Sequence, residues 1–251
     1  APDVKSIYEV PINFEKDHLG DVILAKFGMK SRKRDLREWG NFVQKVRRLK
    51  KTVKIGIIGK YFGTGAFTLA DSYISVIEAV KHASWALGRA PEIFWLDAQD
   101  YEAYSHKLKG LKFYDGIIVP GGFGSRGVEG KIKAIEFCRK NKIHFLGLCY
   151  GLQLAVVEFA RHTAGLKGAH TTEVNPKTKY PVIDTLPEQI VNIKERKMGG
   201  SMRLGAYTCE IKPATVAFHA YGGKLVTERH RHRYEVNNDF REQLEKKGII
   251  V

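Results

Sequence analysis

Gly147-Leu148-Cys149-Tyr150-Gly151 sets a thiol between an apolar run, Ile143 to Leu148, and an apolar helical pattern, Leu152 to Thr163. A strand that passes into a helix through such a turn presents its central residue as a nucleophile. The chemistry asks for these residue types. The nucleophile must hold a strained backbone conformation, and a glycine two positions away on each side lets neighbouring backbone pass without a Cβ clash. At a helix start the free amides and the dipole favour thiolate, and a cysteine there falls from a free pKa of about 8.5 to roughly 3.5–7.5. Cys138 and Cys209 have no such setting and read as small hydrophobes.

A second turn, Pro120-Gly121-Gly122-Phe123-Gly124, follows the preceding apolar run, Tyr114 to Val119. The stretch between the two turns holds one crossover helix, which lets both turns meet at one edge of a sheet. Glycine-rich backbone there offers amides to a developing oxyanion, beside the amide of Tyr150 just after the nucleophile. A phosphate-binding loop or a plain tight turn would have the same composition.

These turns need a scaffold. Strands are expected at Val53–Ile58, Ile93–Leu96, Tyr114–Val119 and Ile143–Leu148, with helices from Asp71 to about Leu87, Val128 to Lys140 and Leu152 to Thr163. The alternation predicts an α/β fold with a mainly parallel central sheet flanked by helices. Such sheets bind ligands at the carboxyl ends of their strands. Further strands are expected near Thr208–Ile211, Lys224–Val236 and Gly248–Val251. Residues 1–50 read as a linker arm on a main domain of residues 51–251. In the arm, Ile7 to Pro11 reads as extended, and Asp35 caps a helix to about Lys50.

Composition bounds the rest. The net charge of +15 is spread along the chain without a zinc-finger, RNP or helix-turn-helix pattern, so nucleic-acid binding is not expected. No apolar run reaches 18 residues and no signal peptide is visible, so no membrane span is expected. Three scattered cysteines without metal-ligand spacing suit a reducing cytoplasm and no metal site.

Gly121-Gly122-Phe123-Gly124, Glu129-Gly130-Lys131 and Gly147-Leu148-Cys149-Tyr150-Gly151-Leu152-Gln153-Leu154-Ala155 together resemble the core of the class I glutamine amidotransferases. Further motifs are similar to the glutaminase domain of the CTP synthase family: Ser6 to Pro11, Gly59-Lys60-Tyr61, Ser72 to Ala79, Pro181 to Asp184, Gly199 to Gly205 and Arg229 to Asn237. The resemblance covers almost the whole chain. It implies glutamine hydrolysis to glutamate and ammonia, with ammonia passed to a synthetase domain that aminates UTP. By that analogy Cys149 forms a glutamyl thioester and the amides of Gly122 and Tyr150 hold the oxyanion. Gly122, Phe123, Tyr150, Gly151, Leu152, Gln153, Glu173 and Arg233 would bind glutamine. A free amino acid needs an acid for its ammonium and a bidentate arginine for its carboxylate, which suits Glu173 and Arg233. Residues 192–203 would form a lid linked to activation by GTP. The resemblance implies no cofactor in this chain; ATP, Mg2+ and UTP would belong to the synthetase domain, in a homo-oligomeric enzyme.

One part of the pattern is missing. The family's base is a histidine oriented by a glutamate two residues later, and none of the nine histidines begins a His-x-Glu. The chain is therefore expected to be truncated before that motif, with Ile249-Ile250-Val251 reading as an interrupted strand. A recruited base, His170 or His232 for instance, is a minor alternative to truncation. The alternatives are an inactive or regulatory glutamine-binding fragment, or another class I amidotransferase.

Overall fold

A computed structural model describes residues 3–31, 33–59, 73–185 and 203–250. Lys60, Tyr61, Asp71, Ser72 and the expected lid up to residue 202, with Gly199 to Met202, lie outside the described residues. The chain divides into two compact units, Ala1–Val53 with Glu78–Glu92, and Lys54–Ile77 with Ile93–Val251.

In the first unit a 3-10 turn, Ile7–Glu9, runs into helix α1 (Val10–Lys16), where extended chain was expected. Pro11 falls in the first helical turn, where its missing N–H costs nothing and its fixed φ favours the helix. The residue read as a strand breaker is a helix starter. Helix α2 (Leu19–Lys26) follows, without a sequence expectation, and then the expected α3 (Arg37–Arg47). Asp35 is not the N-cap of α3: Leu36 holds that position without a side-chain cap, and the Asp35 carboxylate one residue earlier accepts the Arg37 N–H at 3.0 Å. Tyr8 is the hub of this unit. Its ring packs on Trp39, Phe42 and Trp85, and its carbonyl accepts from Trp39 Nε1 at 2.8 Å. Its hydroxyl donates to Glu78 at 2.6 Å and lies against His82. Glu78 and His82 stand on helix α4 (Ile74–Ala86), and Glu9 pairs with Arg47 at 2.8 Å.

The central sheet, most of whose residues belong to the second unit, has strands β1 (Thr52–Gly59), β2 (Ala90–Asp97), β3 (Gly116–Val119) and β4 (His144–Gly147), in the order β2-β1-β3-β4. β1 runs parallel to β3, and β3 parallel to β4. All four residues of β3 are buried, as a strand covered on both faces requires. Helix α5 (Ala98–Ala103) and the 3-10 stretch Ser105–Phe113 lead into β3. Helices α6 (Val128–Lys140) and α7 (Tyr150–His162) follow β3 and β4 and bury Ile132, Ile135, Leu154 and Val157 in the main core. Their shared face also carries Glu158, 1% exposed, which accepts a two-pronged hydrogen bond from Arg139 at 2.7 and 3.0 Å.

Strands β5 (His170–Thr171) and β6 (Pro181–Thr185) form a second small sheet with β9 (Tyr234–Val236) in the order β5-β6-β9. Between them in the chain, β7 (Arg203–Glu210) and β8 (Leu225–His232) make a two-stranded antiparallel ribbon, with α8 (Val216–Tyr221) in its connection. The strand expected at Gly248–Val251 is not formed over residues 248–250; helix α9 (Asn238–Glu245) ends in a turn there. Asn237 caps α9 by accepting the Asp239 N–H at 3.0 Å, directly after β9 ends at Val236 as expected. Among the described residues no helix is long and apolar enough to cross a membrane.

Candidate active site

The register of β3 and β4 places the two glycine turns side by side. Gly116 pairs with His144 and Val119 with Gly147, so both strands end together. The Leu148 N–H then donates to the Val119 carbonyl at 2.9 Å and carries the pairing into the turn. Cys149 stands at the N-cap of α7 with φ 51° and ψ −106°, a conformation that a non-glycine residue adopts only when its surroundings enforce it. The flanking glycines show what enforces it. A Cβ on Gly147 would lie 2.7 Å from the Gly151 carbonyl, and one on Gly151 only 1.9 Å from the Val119 oxygen. The helix starts so close to the sheet that neither position admits a side chain.

Across from the thiol lies the loop after β3. The Cβ position of Gly121 is 4.0 Å from Cys149 Sγ. Gly122 follows, its Cβ position 3.8 Å from the Tyr150 ring. The Cys149 thiol also lies 3.7 Å from the Arg231 carbonyl at the end of β8. Its side chain reaches solvent, yet the surrounding protein pushes its pKa above the ordinary 9.0. Desolvation is the chief cause and the Glu173 charge adds to it, against a smaller opposite pull from the Tyr150 amide. The helix-start effect alone does not make this thiol acidic.

Glu173 and Arg233 arrive from the small sheet. Glu173 follows β5 and is turned back by its own N–H, which donates to Thr171 Oγ1 at 3.2 Å. Its carboxylate accepts the Gly124 N–H at 2.6 Å, so it reaches the glycine loop. Arg233 precedes β9 and is 7% exposed. Burial raises the pKa of the neighbouring Tyr234; the Glu173 charge raises it further and Arg233 lowers it. Gln153 is buried on α7, and its side-chain amide donates to the Tyr234 carbonyl at 2.8 Å, bracing β9. Phe123 and Leu152 are more than half exposed, at 67% and 52%, beside the loop and the helix start.

Two histidines weighed as stand-ins for the absent His-x-Glu are otherwise engaged. His170 Nδ1 accepts the Thr171 N–H at 2.9 Å, which leaves its proton on Nε2, facing Glu129 at 3.6 Å. Glu129 also takes Arg161 at 2.8 Å, and the three groups tie α6, α7 and β5 together behind the site. His232 has Nδ1 3.1 Å from the Tyr234 carbonyl and Nε2 3.0 Å from His230. Sequence reasoning passed over two side chains under the loop, Tyr150 and Lys131, each 1% exposed. Lys131 stands in the Glu129-Gly130-Lys131 motif, so the pattern marked it without giving it a task.

Comparison with known proteins agrees with this geometry. Residues 68–251 match the family described as Glutamine amidotransferase class-I. Over 250 residues the chain is 50% identical to CTP synthase from Pyrococcus abyssi, covering 100% of this chain and 45% of that protein. Over 252 residues it is 45% identical to CTP synthase from Halalkalibacterium halodurans, again covering 45% of the relative. The chain thus spans about half the length of the curated relatives it matches. Among solved structures, the Trypanosoma brucei CTPS glutaminase domain with bound acivicin aligns with a TM-score of 0.68 and 35% identity, covering 78% of this chain and 73% of that one. An elbow cysteine facing a glycine loop, on a sheet of this order and in a sequence this similar, places the chain in the class I glutamine amidotransferase family, as a glutaminase domain of the CTP synthase type.

Proposed function

We propose that this domain binds L-glutamine between Glu173 and Arg233 and cleaves its side-chain amide through Cys149. The observation that carries the reading is a strained elbow thiol after β4, set beside the glycine loop after β3, with the Glu173 carboxylate bonded to that loop. Cys149 Sγ attacks the amide carbon and the carbonyl oxygen becomes an oxyanion facing the Gly122 and Tyr150 amides. The C–N bond breaks as the nitrogen takes up the proton given up by the thiol and leaves as ammonia. Water then cleaves the glutamyl thioester and releases glutamate. In the longer relatives' arrangement the ammonia would serve a synthetase half that aminates UTP with ATP and Mg2+, with GTP as activator and a homo-oligomeric assembly.

The raised thiol pKa keeps the sulfur protonated near neutral pH, so attack calls for a base to take that proton. That observation favours a second reading beside the first, a glutamine-binding domain that holds substrate without turning it over. One experiment addresses each reading. The chain is exposed to a chloroketone analogue of glutamine, with and without excess glutamine, and mapped by peptide mass. A single adduct on Cys149, suppressed by glutamine and lost in Cys149→Ala, is expected, and its rate of formation should still be climbing at pH 9.0. Unprotected labelling of several cysteines would overturn the site. Measurement of ammonia release from glutamine separates turnover from binding alone.

A further inference from the structure

The chemistry above uses only the backbone of Tyr150, yet its side chain is among the most buried in the chain. The hydroxyl donates to the Gly124 carbonyl at 2.8 Å, and the same residue donates its N–H to Glu173 at 2.6 Å. Gly124, at φ 74°, is therefore held from two directions, by a hydroxyl on α7 and by a carboxylate after β5. Glycines at 121, 122 and 124 leave Phe123 as the loop's one side chain between 121 and 124, and that side chain is exposed. A segment so poor in side chains has little packing of its own to fix it, and glycine carries the largest backbone entropy to lose. Its conformation must be set by tethers from outside. The tether is itself immobilised. The Tyr150 ring lies against Gly122 on one edge, and Lys131 Nζ is 5.5 Å from the ring centroid. Burial raises the hydroxyl's pKa, with the Glu173 charge adding to it, so the group remains a donor across the neutral range.

We propose that the Tyr150 hydroxyl is a positioning group that sets the oxyanion loop: by fixing Gly124 it aims the Gly122 amide at the oxygen of the Cys149 adduct. Through Gly124 it also joins that loop to Glu173, the acid assigned to the substrate ammonium. Occupation of Glu173 by an ammonium group and readiness of the loop are thereby coupled through one residue. The kinetic consequence rests on the glutaminase reading, whereas the mechanical one does not.

The test is Tyr150→Phe, which keeps the ring and its packing and removes one oxygen. Two quantities are read on the full chain. The first is amide hydrogen exchange over residues 121–124, expected to quicken about tenfold once a tether is lost. The second is inactivation by the chloroketone analogue, whose carbonyl becomes tetrahedral on attack. Its maximal rate is expected to fall about tenfold, a fraction of the loss seen when an oxyanion donor is removed outright, with half-saturation within about twofold. Alkylation of Cys149 by iodoacetamide, which forms no oxyanion, should keep its parent rate. Unchanged exchange across 121–124 would overturn the proposal, as would quickened exchange with an unchanged maximal rate. If the parent chain shows no glutamine-protected labelling, the glutaminase reading fails on that result, and the exchange measurement still decides whether Tyr150 sets the loop.

Discussion

Replacing Gly151 by alanine reverses the usual expectation for a helix. Alanine within a helix normally gains about 0.5–1 kcal/mol over glycine. Here the added Cβ would stand 1.9 Å from the Val119 oxygen and 2.8 Å from its carbonyl carbon. Roughly 1.5 Å of separation must be found to restore ordinary contact, and the obstacle is sheet backbone rather than a mobile side chain. Overpacking of this kind costs about 1–3 kcal/mol. The same Val119 oxygen accepts the Leu148 N–H, and losing that bond adds about 1 kcal/mol. The net expectation is a loss of about 2–3 kcal/mol, or roughly 5–10 °C in Tm for a chain of this size. Thermal and urea unfolding, followed by circular dichroism, measure it. Gly40→Ala in α3 is the matched control, because nothing lies within 4 Å of its Cβ position, and it should gain the ordinary helix increment. If Gly151→Ala stabilises the chain as Gly40→Ala does, the close approach of α7 to β3 is wrong, and the elbow argument falls with it.

Two further predictions concern charge behind the site. The Glu129 carboxyl is held at about 2, chiefly by the His170 imidazole 3.6 Å away and then by Arg161, against the desolvation that opposes them. A folded pKa below the ordinary 4.5 stabilises the fold above 4.5 and is lost as pH falls from there towards 2. Glu129→Gln should therefore lower the urea midpoint at pH 7 and approach the parent at pH 2–3, modestly because this carboxylate is half-exposed; a difference independent of pH would contradict it. Arg139→Leu should cost about 2–3 kcal/mol in urea unfolding by leaving the buried Glu158 without its two-pronged partner, and Arg139→Leu with Glu158→Leu should recover most of it.

The parallel sheet and the elbow were legible because their signals are local. Apolar runs ending in glycine, at Tyr114–Val119 and Ile143–Leu148, mark strands whatever surrounds them. What the sequence hid depends on distant partners. Pro11 reads equally as an end of extended chain or a first helical turn, and only the packing of Tyr8 on Trp39 and Trp85 distinguishes them. His170 and Thr171 are too short a strand to show a period, so the route that brings Glu173 to Gly124 was not visible. Glu173 and Arg233 were carried by motif resemblance alone, since an isolated acid and an arginine in a basic run look like solvated surface. The acidity expected of a helix-start cysteine also failed here, because desolvation outweighs the pull of one amide.

The hub at Tyr8 has an optical consequence. Two of the chain's three tryptophans, Trp39 and Trp85, surround that ring, and Trp85 also lies 5.9 Å from the His82 imidazole, a group that quenches indole emission when it takes a proton. Intrinsic fluorescence of this chain is thus weighted towards the seating of its first residues on α4. Trp95 on β2 supplies the rest of the signal, and occupancy beside Cys149 calls for a probe placed there.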